Sequence, residues 1–297
     1  MSKIVKLPSD VDLWITYSWS NNNHGICGHL YEALDYFWIL RHWFRVGIML
    51  CEDITWDVVE QAIRSKYDFS DSEIEIIRSS TIFHNRPRLL VGRNILFTDG
   101  GVINTSSVTM YFDNILYFAC GNKCIKNNQR QNAWVLQDDR VYEPVLCNGI
   151  NYKKRILFSR LKRVDEFDDN LLVYATANCR EFTDYDDLLK YNKPVLAIVN
   201  NIPQVAYQHV MFLRPPVIDI FSKFSTYLYT PIPRKFDCSP RFIAECRYYN
   251  RDVIYHNIDY WGEDTGLYWR NWDIERDFES LHLHPDDEIV DIIRGII

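Results

Sequence analysis

The chain has 297 residues, of which 47% are hydrophobic and 25% charged, a balance that excludes a disordered or collagen-like protein. Its formal net charge of −7 excludes a uniformly basic nucleic-acid-binding coat, although local basic faces remain compatible with it. Since no apolar run has the length of a signal peptide or a transmembrane helix, we expect a cytoplasmic protein without membrane contact.

The first half of the chain alternates between strand-like and helix-like segments. Residues 11–18 have the pattern of a strand, residues 19–27 form a polar loop, residues 28–44 carry apolar side chains at helical spacing, and residues 46–50 form a second strand. A strand, a polar loop, a helix and a strand make a βαβ unit, which predicts a parallel sheet. Further strands are predicted at residues 88–91, 94–98, 115–119 and 133–136.

After the polar residues 148–154, which have the composition of a linker, the alternation starts again. The predicted strands are residues 155–158, 171–177, 194–200, 226–229 and 252–255, and the predicted helices are residues 184–191, 217–224 and 240–249. We therefore predict an α/β protein with a first domain over residues 1–150 and a second over residues 151–284. Residues 285–297 are predicted to form a C-terminal helix that packs back on the first domain.

The eight cysteines are scattered along the chain without a CxxC pair. His and Cys residues also lack the spacing of a zinc site. We expect buried free thiols in a reducing compartment and no bound metal.

Residues 226–256 carry the most specific chemical pattern. A strand ends at Pro231, a loop then carries Asp237, and Ser239 suits the N-cap of a helix with Pro240 at its first position. The free N–H groups of such a helix favour a phosphate. Glu245 follows about one and a half turns later, where a carboxylate can accept hydrogen bonds from a ribose diol.

This order of features resembles the nucleotide-sugar site of retaining GT-B glycosyltransferases. Asp237 and Glu245 have seven residues between them, as do two Glu in those families before a Gly-x-Pro-Val-Ile-like strand, here residues 252–255. Asp237 replaces the first Glu, and Asn250 replaces the Gly, a mild change because Asn tolerates left-handed backbone. The resemblance implies an α/β protein with two Rossmann-like domains facing a cleft, the GT-B fold.

The resemblance also implies roles for residues along the whole chain. Residues 155–163 are similar to the first strand and Gly-Arg-Leu turn of the second domain, so Arg160 and Lys162 would neutralise the donor diphosphate. The expected catalytic residues are Asp237 and His24. The expected donor-binding residues are Arg160, Lys162, Ser239, Arg241, Glu245, Gly25 and Gly28, and the expected acceptor-binding residues are Asp99 and Trp19. The nucleotide-sugar is the donor, and the plan requires no metal or other cofactor.

A hydroxymethylated base in phage DNA is one possible acceptor. The composition, rich in Asn and Tyr and poor in Gly, resembles that of large-phage proteins, and phage glycosyltransferases decorate hydroxymethylated DNA bases. Residues 78–93, 114–137 and 153–163 are locally basic and would meet such DNA in the host cytoplasm. A non-catalytic nucleotide- or sugar-binding protein and a GT-B-type nucleotide-sugar epimerase stay open as alternatives, and the oligomeric state is left open.

Overall fold

A computed structural model divides the chain into two compact units. The first contains the described residues up to Arg160 together with the C-terminal helix, and the second contains those from Leu161 to His256. The structure describes residues 4–17, 28–50, 54–83, 89–93, 95–99, 109–119, 133–137, 148–151, 156–174, 182, 184–215, 217–230, 241–256 and 286–296.

Ten strands are described in the first unit, all with parallel neighbours. They are β1 (Ile4–Lys6), β2 (Leu13–Tyr17), β3 (Val46–Leu50), β4 (Thr81–Phe83), β5 (Leu89–Val91), β6 (Ile95–Asp99), β7 (Thr109–Tyr111), β8 (Asn114–Ala119), β9 (Ala133–Gln137) and β10 (Asn148–Asn151). The main sheet has seven strands in the order β10-β9-β8-β6-β2-β3-β4. A smaller sheet has the order β1-β5-β7, and each of its strands directly precedes a strand of the main sheet.

The α-helices of the described residues are α1 (Gly28–Leu40), α2 (Trp56–Lys66), α3 (Asp71–Ser79), α4 (Arg241–Tyr248) and α5 (Asp286–Ile296), of which α4 belongs to the second unit. Helix α1 is apolar nearly all round and is accordingly buried along most of its length. Helix α3 begins with a capping box, in which Ser70 and Glu73 satisfy each other's backbone N–H groups. Helix α5 joins the first unit, where Asn114 Nδ2 donates to the carbonyl of Ile296 at 3.4 Å.

The second unit is built on one parallel sheet of five strands. They are β11 (Leu171–Tyr174), β12 (Val195–Ile198), β13 (Val210–Leu213), β14 (Thr226–Tyr229) and β15 (Asp252–Tyr255), in the order β13-β12-β11-β14-β15. Short 3-10 helices occupy Asp186–Tyr191 and Ile220–Ser222. One face of the sheet buries Val173, Ala197 and Leu228 against Tyr185 and Leu188. These strands are short runs of apolar residues, as expected where both faces of a parallel sheet are covered.

The predicted α/β class with parallel sheets is confirmed, and three local predictions are wrong. Residues 148–151, predicted as a linker, form β10, because an edge strand tolerates the polar sequence Asn-Gly-Ile-Asn. Residues 155–158 do not begin the second sheet, since Phe158–Arg160 is a 3-10 helix and β11 is the first strand there. Residues 217–224 contain only the 3-10 turn Ile220–Ser222 instead of a helix.

Candidate functional site

The strand order of the second sheet changes direction between β11 and β14. The chain builds outward from β11 through β12 and β13, then returns to the other side of β11 to add β14 and β15. Ligands of open α/β sheets bind outside the carboxyl ends of the strands at such a switch point. Phe242 in the first turn of α4 contacts Tyr174 at the carboxyl end of β11, with ring centroids 5.6 Å apart. Phe242 also contacts Tyr227 of β14, with ring centroids 5.0 Å apart, so the first turn of α4 packs over the two strands on either side of the switch point.

A buried ion pair occupies the same end of α4. Glu245 is only 1% exposed, and its Oε1 accepts a hydrogen bond from Arg241 Nε at 2.6 Å. The Arg241 side chain is 12% exposed, and the two residues stand one turn apart on the helix. A carboxylate at this depth requires such a partner, because an isolated buried charge is strongly unfavourable. The pair thus combines a cation and a carboxylate close to the carboxyl edge of the sheet.

The opposite end of α4 is fixed by Arg251, a residue that is 2% exposed. Its Nε and Nη2 both donate to the carbonyl of Phe221, at 3.1 and 2.6 Å, and its Nη1 donates to the carbonyl of Tyr249. The guanidinium carbon also lies 3.7 Å from the ring centroid of Phe167. Burial lowers the pKa of Arg251, because removing a charged guanidinium from water is unfavourable.

The turn after α4 has the conformation that the sequence predicts. Asn250 has a φ of 53°, in the left-handed region, and the N–H of Arg251 then donates to the carbonyl of Cys246 at 2.8 Å. This closes the helix in the way that glycine usually does. Burial raises the pKa of Tyr249, whose neutral hydroxyl donates to the carbonyl of Lys162 at 3.0 Å. The direction of α4, and hence the position of its first turn, follows from these contacts.

The first unit has a switch point of its own between β2 and β6. These strands pair in parallel from Leu13 and Ile95 to Thr16 and Thr98, so both end at the same edge of the sheet. Asp99 is the last residue of β6, and the register shifts beside it. Gly28 begins α1, whose first turn contains no acidic residue. The carboxyl edge of the first sheet therefore brings Asp99 and the positive end of α1 to neighbouring strand ends.

Arg160 is not brought to this edge. Its Nη2 donates to Glu73, and its guanidinium lies 4.8 Å from the ring centroid of Phe69 and 5.4 Å from that of Trp38. Trp38 stands in the last turn of α1, about 15 Å along the helix axis from Gly28 at ~1.5 Å per residue. The structure thus separates Arg160 from Gly28, and it places Arg160 at the end of a 3-10 turn, Phe158–Arg160, instead of after the expected strand.

Lys162 is exposed, and its carbonyl contacts Tyr249 beyond the last turn of α4. That is the end of the helix opposite to Arg241. Five other predicted site residues lie outside the described part of the chain: Trp19, His24, Gly25, Asp237 and Ser239.

Sequence reasoning missed two acidic residues on α1. Glu32 is 5% exposed and Asp35 is fully buried, and Tyr67 donates its hydroxyl proton to Asp35 Oδ1 at 2.7 Å. Their signal in the sequence is a pair of acids three residues apart within an otherwise apolar helix, a spacing that puts both on one face. Tyr67 lies 32 residues away from Asp35, so its contact is not visible in the local pattern.

Comparison with known proteins gives no family for this chain. No protein-family model matches it, and no curated protein matches it. Among the residues that the structure describes, no helix is long and apolar enough to cross a membrane. The same residues contain no group of three His, Cys, Asp or Glu side chains that could hold a metal ion.

Proposed function

We propose that the chain is a glycosyltransferase of the GT-B class that uses a nucleotide-sugar donor. The observation that carries the proposal is the buried pair of Arg241 and Glu245 beside the switch point of the second sheet. A cation for phosphate and a carboxylate for ribose are the two groups that nucleotide recognition requires at such a point. The resemblance of residues 237–255 to the donor site of retaining GT-B enzymes supports the same assignment.

The donor binds to the second unit in this proposal. Arg241 and the amide groups that begin α4 bind the diphosphate, whereas Lys162 is left out of the donor site because its backbone lies at the other end of α4. Glu245 accepts hydrogen bonds from the ribose hydroxyls, and its pair with Arg241 also orients the guanidinium. Ser239 caps the helix, and Asp237 hydrogen-bonds the sugar that is transferred. Arg160 is left out of the donor site, because it belongs to the first unit, where its guanidinium lies beside Trp38 and Phe69.

The acceptor is assigned to the carboxyl edge of the first unit. Gly25 and Gly28 let the chain approach a bound group closely, while Trp19 and Asp99 contact the acceptor. In the reaction the bond between the sugar C1 and the phosphate oxygen breaks, and a bond from C1 to the acceptor oxygen forms. The proton of the acceptor hydroxyl passes to His24 or to the leaving phosphate.

A matched pair of nucleotides tests the role of Glu245. We expect Glu245→Gln to weaken binding of a ribonucleoside diphosphate by about tenfold, since two charge-assisted hydrogen bonds become weaker neutral ones. Binding of the 2′,3′-dideoxy analogue should change little. Glu166→Gln, at an exposed position of the same unit, is the control and should bind both ligands like the wild type. Equal losses for the two ligands would contradict a ribose contact, and no loss for either would remove Glu245 from the site.

Turnover separates the enzyme from a binding protein. Incubation with a panel of nucleotide-sugars and intact-mass detection of a glycosylated product should reveal transfer, while a binding protein returns the donor unchanged. An epimerase would instead yield an altered nucleotide-sugar without any acceptor. For the acceptor we propose a hydroxymethylated base in DNA, and a duplex containing 5-hydroxymethylcytosine should bind in a salt-sensitive manner. Absence of binding at low ionic strength would eliminate DNA as the acceptor.

A further inference from the structure

Two arginines of the first unit share one aromatic platform that the proposed function does not use. The Arg41 guanidinium lies 3.7 Å from the ring centroid of Trp38, and the Arg160 guanidinium lies 5.4 Å from the same ring. Trp38 in turn packs on Phe69, with ring centroids 4.5 Å apart. We refer to Arg41, Arg160, Trp38 and Phe69, with Glu73, as the arginine pair cluster. Planar guanidinium groups stack on aromatic faces in this way.

The carboxylate of Glu73 balances only one of the two positive charges. Its Oε1 accepts from Arg160 Nη2, and its Oε2 accepts from Ser70 N at 2.8 Å and Ser70 Oγ at 3.0 Å. Burial and the neighbouring charge of Arg160 both lower the pKa of Arg41, which Glu73 only partly offsets. Burial and Arg41 also lower the pKa of His42, so the adjacent imidazole is neutral at pH 7. The cluster therefore retains a positive charge.

Both arginines also have a buried donor that no described residue satisfies. The Nε atoms of Arg41 and Arg160 are shielded from water, and neither has a hydrogen-bond partner within the part of the chain that the structure describes. The charged heads are not fully enclosed, since the Arg160 side chain is 29% exposed and Arg41 is half-buried. An anion with several oxygens can reach the exposed part of these guanidinium groups from solvent and supply both negative charge and acceptors.

We propose that the arginine pair cluster binds a phosphate group. The N–H groups of a guanidinium match the geometry of phosphate oxygens. Two guanidinium groups beside the same indole ring favour a tetrahedral anion over a single carboxylate. Phosphate is the shared chemistry of two sources, a free diphosphate and the backbone of a nucleic acid. The cluster lies beside the last turn of α1, away from Gly28, so it is separate from the acceptor site proposed above.

Calorimetric titration of the full chain with pyrophosphate at constant ionic strength tests the cluster. We expect Arg41→Gln and Arg160→Gln each to weaken binding by about tenfold, since each removes a charge-assisted contact. Glu73→Gln should instead strengthen binding severalfold, because it removes the competing carboxylate and releases Arg160. Gln keeps the capping box, so α3 is expected to form in this variant. Arg45→Gln changes an exposed arginine of the same unit, outside the basic stretches, and should bind like the wild type.

The sign of the Glu73→Gln effect distinguishes a binding site from a purely structural cluster. Circular dichroism checks the fold of each variant, and if Arg160→Gln does not fold, Arg41→Gln and Glu73→Gln still decide the test. A parallel titration with unmodified duplex DNA identifies the source. If Arg41→Gln weakens both ligands, the cluster binds nucleic-acid phosphates, and if it weakens pyrophosphate alone, it binds a free phosphate. Wild-type protein that binds neither ligand, an Arg41→Gln variant that binds both like the wild type, or a Glu73→Gln variant with weaker binding would overturn the proposal.

Discussion

Replacing Arg251 by Met is expected to lower the free energy of unfolding of the second unit by about 3 to 5 kcal/mol. The substitution removes three hydrogen bonds, two to the carbonyl of Phe221 and one to that of Tyr249. Phe221 and Tyr249 are both buried, so each carbonyl left without its donor costs about 1 to 3 kcal/mol. The lost stacking on Phe167 adds about 0.5 to 2 kcal/mol, while burial of the apolar Met side chain offsets part of the total.

Hydrogen exchange measured by mass spectrometry reports on this unit without assuming two-state unfolding of the whole chain. Peptides covering residues 217–230 and 241–256 should exchange roughly 100-fold faster in Arg251→Met, the equivalent of about 3 kcal/mol. Arg163→Met is the matched control, because the Arg163 side chain is 89% exposed and only pairs with Asp165 at the surface. If exchange in Arg251→Met is no faster than in Arg163→Met, the buried arginine does not fix α4.

Three further substitutions test the first unit. Burial raises the pKa of Glu73, but hydrogen bonds from Ser70 and the charge of Arg160 lower it more, so this pKa lies below its usual value of 4.5. The wild type should therefore lose stability as the pH falls below about 4.5. Glu73→Gln should flatten this loss in urea unfolding measured from pH 7 to pH 3. Ser70→Ala removes the cap of α3 and should cost about 1 kcal/mol in the same assay at pH 7. Gly47→Ala should cost about 1 to 3 kcal/mol, since a Cβ there would lie 2.4 Å from the buried Trp14 ring, and an unchanged thermal midpoint would contradict this packing.

Local sequence patterns predicted the strands that carry long apolar runs. β2, β3, β14 and β15 fall inside predicted segments. Most described side chains of the first three are buried by their parallel sheets, whereas β15 is a partly exposed edge strand. β10, whose sequence is polar, and β13 were not predicted, since their pairing depends on strands elsewhere in the chain. Helix α3 carries its own signal in the capping-box spacing of Ser70 and Glu73, which can be read directly from the sequence.

The candidate site was less predictable than the fold because it depends on burial and on long-range partners. A single Glu on a short helix is usually solvated, and only tertiary packing reduces the exposure of Glu245 to 1%. The sequence around Arg160 is basic and suited a diphosphate site. Its partner Glu73 stands 87 residues earlier, so no local pattern indicates that the arginine is engaged there.

Both sheets have a switch point and a helix that follows it, so the choice of the second unit for the nucleotide depends on side chains. Helix α1 starts with Gly28 and carries the carboxylate of Glu32 one turn later, whereas α4 carries Glu245 at the same position and adds Arg241 as its ion-pair partner. A phosphate fits either end, but a ribose needs a carboxylate, and α4 places one in an ion pair with an arginine in its first two turns. Gly28→Ala tests which helix binds the nucleotide. A Cβ at residue 28 meets no atom within 4 Å, so this substitution should leave the fold intact. If the first unit receives only the acceptor, this variant should keep the wild-type affinity for the nucleotide and lose transfer, and a loss of nucleotide affinity would move the donor to α1.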